Sequence, residues 1–179
     1  MNLHFVLQKK EKRRQNPVIR KWFGVFSRLY IYNPNNSSSQ IYATTIHELA
    51  HASHWELRRG ERNDNNLETK VKESWARGVE WELTRMVYPS SKYKGRFWNT
   101  NQKDYTLVAA DMIDRATSYS TRINEGFRDS RDQVSGCTIQ QIEDVLEDTS
   151  SWEDWKNNIK NRYDNDTEEH LDRLFKAYE

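Results

Sequence analysis

Two histidines and one glutamate within a single turn constrain this chain more than any other feature of its sequence. Residues 47 to 51 read His-Glu-Leu-Ala-His, and neither Pro nor Gly interrupts residues 35 to 59. On a helix, the imidazoles of His47 and His51 project from the same face, so both can bind one zinc ion. Glu48 is then placed to act as general base on a zinc-bound water. The motif therefore predicts a zinc site at the centre of a helix.

The flanking sequence favours a helix from about residue 40 to 58. Ser37, Ser38 and Ser39 can cap its start, and Gly60 can end it. We expect Ile46, Leu49 and Ala50 to form its buried side. The alternative explanation, an amphipathic helix whose histidines align by chance, requires no metal.

A catalytic zinc needs a third protein ligand and an open position. His54 lies on the same helix, but the rigid frame should carry it past the ion, so we expect it to line the cleft or to support a ligand. A second helix, predicted over 69–87, offers three carboxylates: Glu73, Glu80 and Glu82. Glu73 and Glu80 are seven residues apart and share a face, with Arg77 between them. The residues alone leave the choice between these carboxylates open.

A family resemblance favours one of these carboxylates. Glu73-Ser74-Trp75-Ala76, which begins 22 residues after His51, resembles the glutamate motif of the aminopeptidase branch of the gluzincin zinc metallopeptidases. The resemblance covers at most residues 25–87. It implies that His47, His51 and Glu73 bind Zn2+, with Glu80 as the alternative ligand or as a carboxylate that orients a histidine. His54, Arg77 and Glu80 are expected either to support the metal ligands from behind or to bind substrate.

The resemblance implies zinc-dependent hydrolysis of peptide bonds in a peptide or protein substrate. The Gly-x-Met-Glu-Asn strand with which the aminopeptidase branch holds a substrate's amino terminus is missing from the sequence, so exopeptidase specificity is not implied. The donor that stabilises the oxyanion stays open among Arg77, His54, Tyr105 and Tyr119. The alternative function is a non-catalytic, zinc-containing binding or accessory module with a zincin fold.

The expected fold class is α+β and predominantly helical: a zincin-like catalytic domain with a small sheet preceding the HExxH helix. Residues 1–24 are interpreted as an N-terminal arm and residues 25–179 as one metallopeptidase domain. Within that domain, 25–87 holds a strand (25–32), the metal helix and the glutamate helix, and 88–179 is a helical subdomain. A buried stripe is expected on 69–87, formed by Val71, Trp75, Val79, Leu83 and Met86. A further helix is expected over 105–117, with Asp104 as its cap. Later helices are expected to start at Thr138, at Ser151 and near Asp166.

Composition limits the partners. The net charge of +1 gives no overall basic excess, so we expect no nucleic acid partner. No apolar run approaches the roughly 20 residues of a membrane span. The single cysteine, Cys137, permits no intrachain disulfide. We expect the protein to be a monomer. The first residues make a poor signal peptide, and the sequence does not indicate the cellular compartment.

Overall fold

The computed structural model describes residues 3–8, 18–22, 26–32, 38–57, 67–89, 103–113 and 133–179. The helices in this part of the chain are α1 (Ser38–Leu57), α2 (Thr69–Val87), α3 (Val108–Ile113), α4 (Ile139–Asp144), α5 (Trp152–Arg162) and α6 (Leu171–Ala177). Short 3-10 turns at Val145–Asp148 and Glu168–His170 lead out of α4 and into α6.

Three strands are described by their backbone alone: β1 (Leu3–Gln8), β2 (Val18–Trp22) and β3 (Phe26–Tyr32). β3 lies between the other two, parallel to β1 and antiparallel to β2. The predicted α+β class, a zincin-like domain with a small sheet before the HExxH helix, is nevertheless wrong. Wherever side chains are described, from residue 38 onward, the chain is helical and has no strand, and the core consists of helical and loop residues. The coarse helical class is the one that holds.

The centre of the helical body is α2. Its bounds, Thr69–Val87, are those predicted from the apolar spacing. Val71, Trp75 and Val79 are buried as expected. Met86 is 67% exposed, so its assignment to the buried stripe is wrong. Arg85 and Val87, its neighbours in the last turn of α2, are exposed as well.

Aromatic side chains from α5 and α6 close the core beneath α2. The ring centroids of Trp152, Trp155 and Phe175 lie 4.8–5.7 Å apart, and the rings pack in tilted and edge-on arrangements. Two predicted helix starts are confirmed. Thr138 forms a capping box with Gln141 at the start of α4, and the Ser151 hydroxyl accepts a hydrogen bond from the Asp154 amide at the start of α5.

The helix predicted over 105–117 begins later, because α3 starts at Val108, and Asp104 is therefore not its cap. The preceding residues are held against α2 by a hydrogen bond of 2.7 Å between the Ser74 and Thr106 hydroxyls. Residues 114–117 lie outside the described part of the chain. Among the described helices, none is long and apolar enough to cross a membrane.

Candidate metal centre

The buried face of α1 consists of small and polar residues. Its buried residues follow helical spacing along one face: Ser39, Ala43, His47, Ala50 and His54, with Glu48 beside them. Ile46 and Leu49, which the sequence predicted to be buried, are only half-buried, whereas Ala50 is buried as expected. Polar side chains seldom occupy a core unless they are hydrogen-bonded or bind an ion. The residues facing inward on α1 therefore serve a site as well as packing.

Three side chains converge between α1 and α2. Nε2 of His47 lies 3.2 Å from Nε2 of His51 and 3.2 Å from Oε2 of Glu73. Nε2 of His51 lies 3.4 Å from the same oxygen of Glu73. These atoms form a nearly equilateral triangle, and among the described residues they are the group that could hold a metal ion.

The triangle matches the face of a zinc tetrahedron. Zn–N and Zn–O bonds of about 2.0–2.1 Å at tetrahedral angles place ligand atoms about 3.3–3.4 Å apart, close to the 3.2, 3.2 and 3.4 Å found here. The donor set, two imidazoles and a carboxylate, is one that catalytic zinc sites use. The donor types and the distances between them therefore fit a zinc ion.

Glu80 approaches His47 from the other edge of the ring. Its Oε2 lies 3.0 Å from Nδ1 of His47, and its side chain has no exposed surface. His47 is thus bracketed by two carboxylates of α2, Glu80 at Nδ1 and Glu73 at Nε2. Because Glu73 and Glu80 are seven residues apart and lie on one face of α2, both carboxylates reach the imidazole of His47.

The two carboxylates control the protonation of the cluster. Burial by itself would lower the pKa of His47, but hydrogen bonds and charge attraction from Glu73 and Glu80 outweigh burial and raise that pKa above its ordinary value. Burial would likewise raise the pKa of Glu73, but hydrogen bonds from His47 and His51 hold that pKa far below its ordinary range. In the metal-free protein, the two carboxylates therefore favour the protonated form of His47.

One side of the triangle faces solvent. The side chains of Glu73 and His51 retain 19% and 23% exposure, whereas Glu48 is 8% exposed. A closed structural zinc site needs a fourth protein ligand, and no such ligand is found among the described residues. Among the described residues, this partly exposed side is where water or substrate can approach the three donor atoms.

Two further predicted residues lie beside the cluster. The ring of Tyr105 stacks on that of His47, with centroids 6.3 Å apart and planes 18° apart. The guanidinium of Arg77, a buried residue, lies 5.1 Å from the Tyr105 centroid. The sequence indicates Tyr105 only as a possible oxyanion donor. Its stacking on His47 carries no sequence signal, because it accompanies the Ser74–Thr106 contact between segments 32 residues apart.

The remaining sequence candidates stand apart. His54 is buried on the same face of α1 but lies outside the triangle. Glu82 pairs with Arg85 near the end of α2. Tyr119 lies outside the described residues. Comparisons of the chain with protein-family models, curated proteins and solved structures found no match.

Proposed function

We propose that this chain is a zinc-dependent hydrolase of peptide bonds with a ligand set of the gluzincin type. The observation that carries the proposal is the convergence of His47 Nε2, His51 Nε2 and Glu73 Oε2 at the spacing of zinc ligands. Glu48 directly follows His47, as the HExxH motif requires. The open side at His51 and Glu73 supports a catalytic role over a purely structural one.

A zinc ion held by His47, His51 and Glu73 would act as a Lewis acid and lower the pKa of water toward neutrality. Glu48 accepts a proton from the attacking water and then donates it to the leaving amine. Burial of Glu48 lowers the local dielectric and strengthens its electrostatic interaction with reacting groups. Tyr105, whose ring stacks on that of His47, and Arg77, whose guanidinium lies over the Tyr105 ring, are the candidates for stabilising the oxyanion.

The test is a peptide-library digest with the zinc-loaded protein and its Glu48→Gln variant. Loss of a general base lowers the rate by about 10²–10⁴-fold, so Glu48→Gln should retain zinc while cleavage nearly disappears. Glu82→Gln is the matched control, because Glu82 lies on α2 but pairs with Arg85. Cleavage by Glu48→Gln at the rate of the unmodified chain would overturn the mechanism.

A zinc-loaded chain that cleaves no peptide in the library would favour the second function, a non-catalytic zinc-containing binding or accessory module. Zinc removal would then unfold the protein without loss of any activity. The same preparations distinguish the two functions, since zinc content and cleavage are measured separately.

A further inference from the structure

We propose that Tyr178 and Asp111 form a latch between the end of α6 and α3, and that this latch holds Tyr105 over the imidazole of His47. Tyr178 directly follows α6, and Asp111 lies in α3, 67 residues earlier in the chain. Neither is one of the three residues of the candidate metal centre. The latch rests on the proposed function only in its consequence for peptide cleavage, because its contacts belong to the metal-free chain.

The hydrogen bond of the latch reaches a fully buried carboxylate. The Tyr178 hydroxyl donates to Oδ2 of Asp111 at 2.5 Å, and Asp111 is 0% exposed. A hydroxyl that donates to an ionised carboxylate makes a short, charge-assisted hydrogen bond, roughly twice as strong as a neutral one. A buried carboxylate is costly unless it is hydrogen-bonded. Tyr178 therefore stabilises Asp111, and with it α3, in the observed position.

Tyr178 also packs against the residues at the start of α3. Its side chain lies against a small buried cluster formed by Trp81 of α2 together with Leu107 and Ala110. Leu107 immediately precedes α3, and its carbonyl accepts a hydrogen bond of 3.0 Å from the Asp111 amide. The polar and the apolar contacts of Tyr178 thus fall on the same turn of the chain.

This turn is joined to the metal centre through Thr106 and Tyr105. The Thr106 hydroxyl lies 2.7 Å from the Ser74 hydroxyl of α2, and the Tyr105 ring stacks on that of His47. Tyr105 and Leu107 are two residues apart, which spans at most about 7 Å of chain. A displacement of α3 would therefore move Tyr105 relative to His47. The end of α6 is in this way connected to the metal centre without contributing a ligand.

The first test compares amide hydrogen exchange in the metal-free chain and in Tyr178→Phe. Loss of a hydrogen bond to a charged group should raise the exchange rate of the α3 amides about 10- to 100-fold. Asp111→Asn keeps an oxygen that can accept from the hydroxyl, so its exchange rate should lie between the two. Tyr163→Phe is the matched control, because the Tyr163 hydroxyl donates at 3.3 Å to Asp144 of α4. Its α3 amides should exchange like those of the unmodified chain.

A second readout reports on the contact between Tyr105 and His47. The chain is labelled at its five histidines for 1H–13C NMR at one fixed pH, and Tyr105→Leu defines the resonances of an unstacked His47 ring. Tyr178→Phe should shift the His47 ring-proton resonances toward those of Tyr105→Leu, and Asp111→Asn should shift them less. Tyr163→Phe should leave them unchanged, which separates the latch from a general loss of stability.

His47 resonances in Tyr178→Phe equal to those of the unmodified chain would overturn the latch, whether or not the chain binds zinc. A shift toward Tyr105→Leu, with an unchanged Tyr163→Phe control, supports it. When the chain cleaves peptides, Tyr178→Phe should lower kcat and leave KM nearly unchanged, because Tyr105 is a candidate for stabilising the oxyanion. Absence of cleavage by the zinc-loaded, unmodified chain would instead overturn the proposed function, since the spectra decide on the latch without zinc.

Discussion

Gly78 of α2 lies so close to Ala109 of α3 that a side-chain carbon on Gly78 would collide with the Ala109 side chain. This close approach sets the position of α3 and of the residues just before it. Thr106 is thereby brought to Ser74, and Tyr105 to the ring of His47. A small residue in the middle of α2 thus influences the metal centre without contacting it.

Gly78→Ala should destabilise the protein. Ala normally stabilises a helix interior by about 0.5–1 kcal/mol relative to Gly, but overpacking costs about 1–3 kcal/mol. The expected net loss is therefore about 1 kcal/mol, with an upper bound of about 2.5 kcal/mol. Urea unfolding of the metal-free protein measures it. Val87→Ala, at an exposed position of the same helix, should change stability by less than about 0.5 kcal/mol. A Gly78→Ala variant as stable as the unmodified chain would show that α3 does not pack as described.

Zinc should stabilise the protein more at pH 8 than at pH 6. The raised pKa of His47 contributes stability to the metal-free chain below the ordinary value of 6.5, and this contribution is lost as pH rises through the folded pKa. The lowered pKa of Glu73 contributes above its ordinary value of 4.5 and is lost on strong acidification.

The metal-free cluster therefore stabilises the fold most between pH 4.5 and pH 6.5, the ordinary pKa values of Glu73 and His47. Within this window, protons compete with zinc for the cluster. Above this window His47 loses its proton more easily, so zinc binding adds more to the stability of the fold. Differential scanning calorimetry with and without zinc at both pH values measures the increment in Tm. An increment that is constant or that falls as pH rises would contradict the ligand role of His47.

Cys137 should react slowly in the native protein. Burial raises the pKa of its thiol to about 11, and the Asn165 side-chain amide donates to Sγ at 3.2 Å. Only the thiolate reacts, so alkylation by iodoacetamide at pH 8 should be at least about 100-fold slower than in the unfolded chain. Mass spectrometry with and without guanidinium measures both rates. Equal rates would mean that Cys137 is exposed in solution.

Ser151→Ala should lower stability by about 0.5–2 kcal/mol, the usual cost of removing an N-cap, because its hydroxyl accepts from the Asp154 amide at the start of α5. Ser150→Ala is the control, since Ser150 is exposed and its hydroxyl donates to the Asp154 side chain, not to a backbone group at the start of α5. Chemical denaturation of both variants measures the difference. Equal losses at the two positions would argue against the cap.

The sequence predicted local features well because they depend on neighbours along the chain. The bounds of α2 followed from the spacing of Val71, Trp75 and Val79, and both caps followed from hydroxyl-bearing residues in the right place. The seven-residue spacing of Glu73 and Glu80 correctly indicated a shared face, on which both now contact His47.

Features that depend on distant segments could not be predicted. Leu49 of α1 was expected inside because it is apolar, yet α1 buries His47 and His54. For His47 the reason is that α2 supplies two carboxylate partners. Gly78 carries no periodic signal, although a glycine inside a helix costs stability and so hints at close packing. The α+β class failed because a strand-like composition at 25–32 does not decide what packs in the core.

Zinc content measured together with His51→Ala tests the central claim most directly. The purified chain, supplied with zinc and dialysed, should hold one zinc ion per molecule by inductively coupled plasma mass spectrometry. His51→Ala removes a ligand and should lose more affinity than the roughly 10- to 100-fold that an outer partner costs. A zinc-to-protein ratio near zero in the unmodified chain, or an unchanged ratio and affinity in His51→Ala, would contradict a metal centre at His47, His51 and Glu73.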